Sequence, residues 1–324
     1  MNTKRLAHYE WLRPLGTLVF VVVLATLFSP KNADGQLIFW GEENLANVLR
    51  QISDIGILAM GMTLVIISGG IDLSVGSLLA LSCTIFAYVF TKYETGWSPA
   101  LGIVLALAAT SFFGLTAGVF VSWLRLQPFI VTLATMIGSR GFAKWLVDNS
   151  TLAVGYDDRT KPVVDFIGQK PFVVPAFLIV TLIASVFLNG TRFGRYLMAV
   201  GGSEGAARLS GINVTRVKVR VYLLSGLIAG IAGVLFCCET HQGSPNAGVA
   251  YELDAIAAAV IGGTSLAGGK GGIFGTFVGA LVLGILSNVL GLRNVDENVQ
   301  WMLKAVIIIT AVWLQLVGKS RRNP

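Results

Sequence analysis

The chain has 324 residues, 54% of them hydrophobic and 13% charged, with a mean hydropathy of +0.74. A soluble domain carries roughly 25% charged residues, so this composition argues against a soluble enzyme or binding module. The apolar runs are continuous and do not alternate, which argues against an outer-membrane barrel. A net charge of +7 would suit a nucleic-acid partner, but the charge is distributed like that of a membrane protein, and no nucleic acid is expected.

Taken in order, the chain opens with Lys4, Arg5 and Arg13 ahead of a short apolar run, Leu15 to Phe28. A basic flank followed by such a run resembles a signal peptide. The following SPKNADG offers no small-x-small cleavage site, since Lys31 would stand three residues before a cut after Ala33. The run is therefore expected to be an uncleaved first span with the amino terminus inside. Further apolar segments lie at about 45–67, 74–91, 99–123, 128–147, 172–189, 219–238, 252–263, 272–290 and 299–317. The expectation is an all-α polytopic membrane protein with about ten transmembrane helices in one domain, 1–324. The 252–263 run is shorter than the roughly 20 residues a span needs, and reads as a half-helix that re-enters.

With both termini inside, Lys and Arg predominate in the inner segments and Asp and Glu in the outer ones, as the positive-inside rule asks. The outer loop Asp148 to Pro171, with Arg159, Lys161 and Lys170, fits least well. The inner loop Asn189 to Arg220 fits best: Arg192, Arg195, Arg208, Arg216, Lys218 and Arg220 face one acid, Glu204. Its EGAARLSG stretch is rich in helix formers and ends at Gly211, which predicts a short helix with a glycine stop. Such a helix, offered on the inner side, is most simply a docking element.

Two glycine-rich breaks interrupt the apolar pattern, SGGIDLSVGS (68–77) and IGGTSLAGGKGG (261–272). They share G-G-x-x-L-x-x-G, pairing Gly69, Gly70, Leu73 and Gly76 with Gly262, Gly263, Leu266 and Gly269. Paired polar breaks in two halves of a membrane chain point to a transporter repeat; two ordinary tight turns are the plainer reading. Asp72 is expected to cap the helix that starts near Leu73. Lys270 does not complete a phosphate loop, because Gly271 stands where Ser or Thr is needed and Thr264 where the first glycine should be. No nucleophile, metal-binding or paired-carboxylate motif suggests catalysis. Cys83, Cys237 and Cys238 lie in apolar segments and read as small packing residues, and His8 and His241 suggest no site.

Polar residues recur at helical spacing in two spans. Asn44, Asn47, Gln51 and Asp54 share a face of the second, and Thr132, Thr135 and Ser139 a face of the fifth, with Arg140 and Lys144 further along. One reading is the lining of a hydrophilic path, with Asp54 paired to Arg140, Lys144 or Lys304. The other is helix ends and interhelical hydrogen bonds. Gly114 with Gly118, Gly226 with Gly230, and Gly271, Gly275 and Gly279 repeat every four residues and read as close-packing stripes.

Four stretches together resemble the membrane permease subunits of bacterial ATP-driven sugar importers, the ribose, xylose, arabinose and galactose type. They are GMTLVIISGGIDLSVGS (61–77), QPFIVTLATMIGSRG (127–141), TRFGR (191–195) with GGSEGAARLSGI (201–212), and YELDAIAAAVIGGTSLAGGKGGIFGT (251–276). Ser203 stands where that family usually has Asn, and Ala134 where it commonly has Gly. The resemblance implies a permease in the bacterial cytoplasmic membrane, both termini cytoplasmic, binding no cofactor and performing no hydrolysis. It implies a cytoplasmic ATPase, a periplasmic sugar-binding protein, the lipid bilayer and a second permease copy as partners. It places ATPase coupling in the loop at about 190–218, on Gly202, Ser203, Glu204, Ala206, Ala207, Arg208, Leu209 and Gly211. Asn47, Gln51, Asp54, Thr132 and Thr135 are the candidate path residues. Gly69, Gly70, Asp72, Gly262 and Gly263 would shape breaks near it. The alternative is a stand-alone secondary transporter or channel, for which Asp54 would be the coupling carboxylate.

Overall fold

The structure, a computed structural model, describes residues 3–92 and 98–320. Lys4, Arg5, His8 and Arg13 and the carboxyl terminus fall outside the residues whose side chains are described. Each of the ten apolar segments coincides with a helix: α1 (Thr3–Phe28), α2 (Glu42–Ile67), α3 (Val75–Lys92), α4 (Ser98–Ser122), α5 (Pro128–Leu146), α7 (Lys170–Gly190), α10 (Val214–Thr240), α11 (Tyr251–Ile261), α12 (Ile273–Leu292) and α13 (Glu297–Ser320). Among the described residues three shorter α-helices stand between them, α6 (Lys161–Gly168), α8 (Arg192–Gly202) and α9 (Glu204–Leu209), with a 3-10 turn at Ile38–Trp40. A two-residue ribbon, Leu152–Ala153 against Gln242–Gly243, is antiparallel.

Among the described residues, six helices are long and apolar enough to cross a membrane by length and composition: α2, α3, α4, α7, α10 and α12. α11 has 11 residues, a length of roughly 16 Å at 1.5 Å per residue, half of what a bilayer core demands. The apolar windows of α2 and α3 are 83% buried, whereas those of α4 and α7 are 28% buried. α2 and α3 therefore form the centre, and α4 and α7 present apolar side chains outward.

The glycine stripes account for the closest helix pair. Lipid is as apolar as Leu, so helices gain by bringing backbones near one another. Gly114 and Gly118 of α4 lie against Tyr222 and Val219 of α10, and Gly226 and Gly230 of α10 against Thr110 of α4. Gly275 and Gly279 of α12 similarly meet the backbone of Gly262 and Ala258. Buried hydroxyls add specific links: Ser82 of α3 donates to the Gly230 carbonyl at 2.6 Å, and the Thr63 and Thr276 hydroxyls join α2 to α12, also at 2.6 Å. The three cysteines are free and buried.

Contacts among the connecting segments define two ends of the molecule. One end gathers the glycine breaks, the α4–α5 turn, α8 and α9. The opposite end holds the ribbon and the turn where Arg293 donates to the Phe28 carbonyl at 2.6 Å. There Arg159 reaches the Phe90 carbonyl at 2.9 Å, and His241 bonds Asp165 at 3.0 Å.

Candidate functional site

The short helix foreseen in the basic loop is α9, and both its ends are capped. Ser203 accepts from the Ala206 amide at 3.3 Å, so serine serves as a cap where the related family carries Asn. At the other end Gly211 takes φ +80°. Its amide bonds the Arg208 carbonyl and the Ile212 amide bonds that of Ala207, at 3.1 and 3.0 Å, the Schellman pattern. Ala207 is turned inward and buried, and Glu204 pairs with Lys218 of α10. Arg208 is exposed, and Leu209 is 93% exposed. Gly205 and Gly202 have open space beside them.

The two breaks end their helices in the same way as α9. Gly69 (φ +86°) follows α2, with its amide on Ile66 and that of Gly70 on Val65, at 2.9 and 3.1 Å. Gly263 (φ +92°) follows α11, with its amide on Val260 and that of Thr264 on Ala259, both at 2.9 Å. The structural counterpart of Gly69 is thus Gly263, not Gly262, so the shared sequence motif is one residue out of register. The left-handed position after each helix sets the true alignment.

These breaks meet each other and the basic loop. The Gly269 amide donates to the Ile67 carbonyl at 2.9 Å. A Cβ on Gly201, at the end of α8, would overlap that same carbonyl oxygen. One on Gly268 would lie 2.8 Å from the Gly201 oxygen and 3.1 Å from Gly69 Cα, and one on Gly269 would lie 2.7 Å from Gly202. Three segments from distant parts of the chain are packed backbone to backbone, leaving no room for a side chain at the centre. Gly201 and Gly268 fall within the glycine-rich stretches of the sequence but were assigned no role of their own; the Gly-Gly pair at the end of α8 was the available signal.

A buried polar lattice braces the first break. Asp72, 1% exposed, accepts from the Ser74 amide at 3.0 Å and its hydroxyl at 2.5 Å, and from the Ser225 hydroxyl of α10 at 2.8 Å. The carboxylate does not cap a helix from Leu73 as expected: α3 starts at Val75, and Asp72 instead fixes Ser74, the residue just before the helix, and clamps it onto α10. Thr132 of α5 donates to the Ile71 carbonyl at 3.2 Å, and Ser139 to the Ser77 hydroxyl at 2.8 Å. Thr132 is fully buried in this lattice, whereas half-buried Thr135 bonds its own helix at Val131.

Toward the opposite end, α2, α11, α12 and α13 enclose a cleft of about 420 Å³. Gln51, Tyr251, Ser287, Gln300 and Trp301 line it, together with Asp254 and Lys304, an ion pair at 3.1 Å. Of the polar face of α2, Gln51 reaches the cleft, half-buried Asn47 lies one turn away, and Asn44 exchanges two amide bonds with Asn288 at 3.1 and 2.9 Å. Asp54 lies behind, 6% exposed, near an ion pair of Arg50 with Glu239 at 2.8 Å. It does not take the partners foreseen for it. Lys304 belongs to Asp254, and Arg140 donates to the carbonyls of Pro245 and Ala247 at 2.9 and 3.1 Å. No group of three His, Cys, Asp or Glu among the described residues is arranged to hold a metal ion.

Comparison with known proteins adds an independent line. Residues 44–312 match the family described as branched-chain amino acid transport system / permease component. The chain is 43% identical over 316 residues to the ribose import permease protein RbsC of Escherichia coli (strain K12), covering 96% of both chains. It is 40% identical over 309 residues to the protein of that name in Bacillus subtilis (strain 168), covering 94% of this chain and 92% of the other. It is 32% identical over 378 residues to the xylose transport system permease protein XylH of Escherichia coli (strain K12), covering 97% and 95%. No solved structure matches.

Proposed function

This chain belongs to the family of branched-chain amino acid transport system / permease components, and from that premise we propose that it is the membrane permease subunit of an ATP-driven sugar importer, with a ribose-like monosaccharide as its solute. The names of its relatives support a pentose. A cleft whose largely apolar wall carries the amides of Gln51 and Gln300, the hydroxyls of Ser287 and Tyr251 and the ring of Trp301, beside the charged Asp254, Glu297 and Lys304, offers the hydrogen bonds and the apolar face that a polyhydroxyl molecule needs. In this reading the chain binds no cofactor and hydrolyses nothing. A cytoplasmic ATPase supplies energy, a periplasmic sugar-binding protein delivers the solute, and a second copy completes the transporter.

The reading sets ten membrane-embedded helices in the bacterial cytoplasmic membrane, the half-length α11 completing a crossing together with the extended segments that flank it, and both termini cytoplasmic. The end carrying Arg125, Arg192, Arg195, Arg208, Arg216 and Lys270 is the cytoplasmic one, as the positive-inside rule favours.

One observation carries the coupling role: Leu209, 93% exposed, stands on a helix capped at both ends and surrounded by cations. A bare Leu in water is what a docking partner would cover, a gain of roughly 1.5–3 kcal/mol. ATP-driven motion of the ATPase would displace α9, and through Gly201 it would reach the Ile67–Gly269 contact. From there α2, α11 and α12 lead to the cleft; Gln51 lies 16 residues before Ile67, about 24 Å along the helix at 1.5 Å per residue. Alternating access follows as the two breaks shift these helices against each other.

The test is co-purification of the chain with its ATPase from solubilised membranes. Leu209→Asp should insert normally yet lose the ATPase. Leu209→Ala, which sacrifices roughly 2 kcal/mol of burial, should weaken the association about 30-fold. Full retention of the ATPase by Leu209→Asp would remove α9 from the interface.

A further inference from the structure

A second cavity, of about 300 Å³, opens beside α9 and is lined by the α4–α5 turn, α9 and the start of α10. Its charge is one-sided. Arg125, Arg208 and Lys218 line it against the single acid Glu204. Glu204 is committed to Lys218, while Arg125 and Arg208 make no ion pair among the described residues. Two arginines therefore line one small space without a counter-charge. Guanidinium groups match phosphate oxygens in a two-pronged geometry that a lone ammonium lacks.

The cavity's surroundings select among phosphate-bearing molecules. Val121 and Leu126 form part of its wall. Beside it Trp123, Leu124 and Phe129 are 75%, 55% and 54% exposed. They continue the apolar outer face of α4, where Leu115 and Phe120 are also exposed. Trp is favoured where the acyl region gives way to headgroups, so the cavity sits at headgroup depth with a greasy surface leading away from it. A soluble anion would use the cations and ignore that surface. A phospholipid uses both.

We propose that this cavity binds the phosphate of an anionic phospholipid headgroup, its acyl chains lying along α4 and α5. Basic pockets between helices on the cytoplasmic side take such headgroups. The lipid would tie the α4–α5 turn to α9 through Arg125 and Arg208. The binding claim stands without the importer reading; only its consequence for coupling rests on it.

The experiment uses the full-length chain, purified and delipidated in neutral detergent. Native mass spectrometry and thermal denaturation are followed with phosphatidylglycerol, phosphatidylcholine or inorganic phosphate added. Phosphatidylglycerol should be retained and should raise the melting temperature, phosphatidylcholine should do neither, and phosphate should displace it only weakly. Arg125→Gln should lower retention at least five-fold, while Arg216→Gln, which removes an exposed charge outside the cavity, should leave it unchanged. Equal loss in both variants would mean diffuse charge attraction and would overturn the site. An equal response to phosphate alone would make the occupant a soluble anion. Unchanged lipid retention in Arg125→Gln, with weaker association of the ATPase, would give the cavity to an acidic residue of that partner. Either of these two results overturns the lipid assignment.

Discussion

The carbonyl oxygen of Ile67 accepts a hydrogen bond from the amide of Gly269 at 2.9 Å, joining the end of α2 to the loop that follows α11. The same oxygen occupies the space that a side chain on Gly201 would need. Gly201→Ala should therefore cost about 1–3 kcal/mol, since backbone cannot yield as a flexible side chain does. Gly202→Ala, one residue on and facing open space, should be neutral or slightly stabilising. Thermal unfolding of the two variants in the same detergent checks this contrast; equal losses would contradict it.

Asp72 is held by three donors from two residues, Ser74 and Ser225. Asp72→Ala strands all three in a buried site and should cost about 3 kcal/mol or more. Ser225→Ala removes one donor and leaves the carboxylate two, so roughly 1 kcal/mol is expected. The larger variant should also loosen the first break, read as faster hydrogen exchange at residues 68–75.

Lys304 and Asp254 pair inside the cleft with side-chain exposures of 21% and 17%. Lys304→Met leaves a shielded carboxylate without its cation and should lower both stability and sugar uptake. The double variant Lys304→Met with Asp254→Asn removes the lone charge and should recover most of the stability. Uptake that also recovers would make the pair structural; uptake that stays low would make its charges part of the solute site.

In the turn at the opposite end from α9, Asp157 accepts from the Thr160 amide and hydroxyl, which, in that order, hold its carboxyl below the ordinary carboxylate value. The stabilisation this implies is present above the unfolded-state value of about 3.9 and is lost as pH falls through the lowered folded value. Thr160→Val removes only the hydroxyl. A carboxyl titration followed by NMR should shift partway back toward the ordinary range, because the amide, the larger cause, remains.

Much of this architecture can be read from local pattern. The ten apolar segments each became a helix, Gly211 stops α9 as its position suggested, and the four-residue glycine spacings became the α4–α10 and α11–α12 contacts, except that Gly271 precedes α12 and meets Thr264 and Ile67 instead. These features depend on neighbours in the chain. What escaped depends on distant residues. Asp54 was offered three cations by composition, yet Lys304 is nearer Asp254 and Arg140 is taken by two carbonyls. The pairing of the breaks slipped by one residue because a Gly-Gly dipeptide does not reveal which glycine adopts the left-handed conformation. The meeting of Gly201 with Ile67 and Gly269 involves no side chain, so no pattern of polarity announces it.

That absence of side chains also determines how the joint would look to genetics. Contacts between side chains can drift in compensated pairs, a larger residue answering a smaller one, and so leave correlated changes among descendants. At Gly201, Gly268 and Gly269 nothing can be exchanged. A saturation screen for growth on the transported sugar should find these positions as isolated points of intolerance with no second-site suppressor among one another, while the cleft residues Gln51, Gln300 and Trp301 yield suppressors readily.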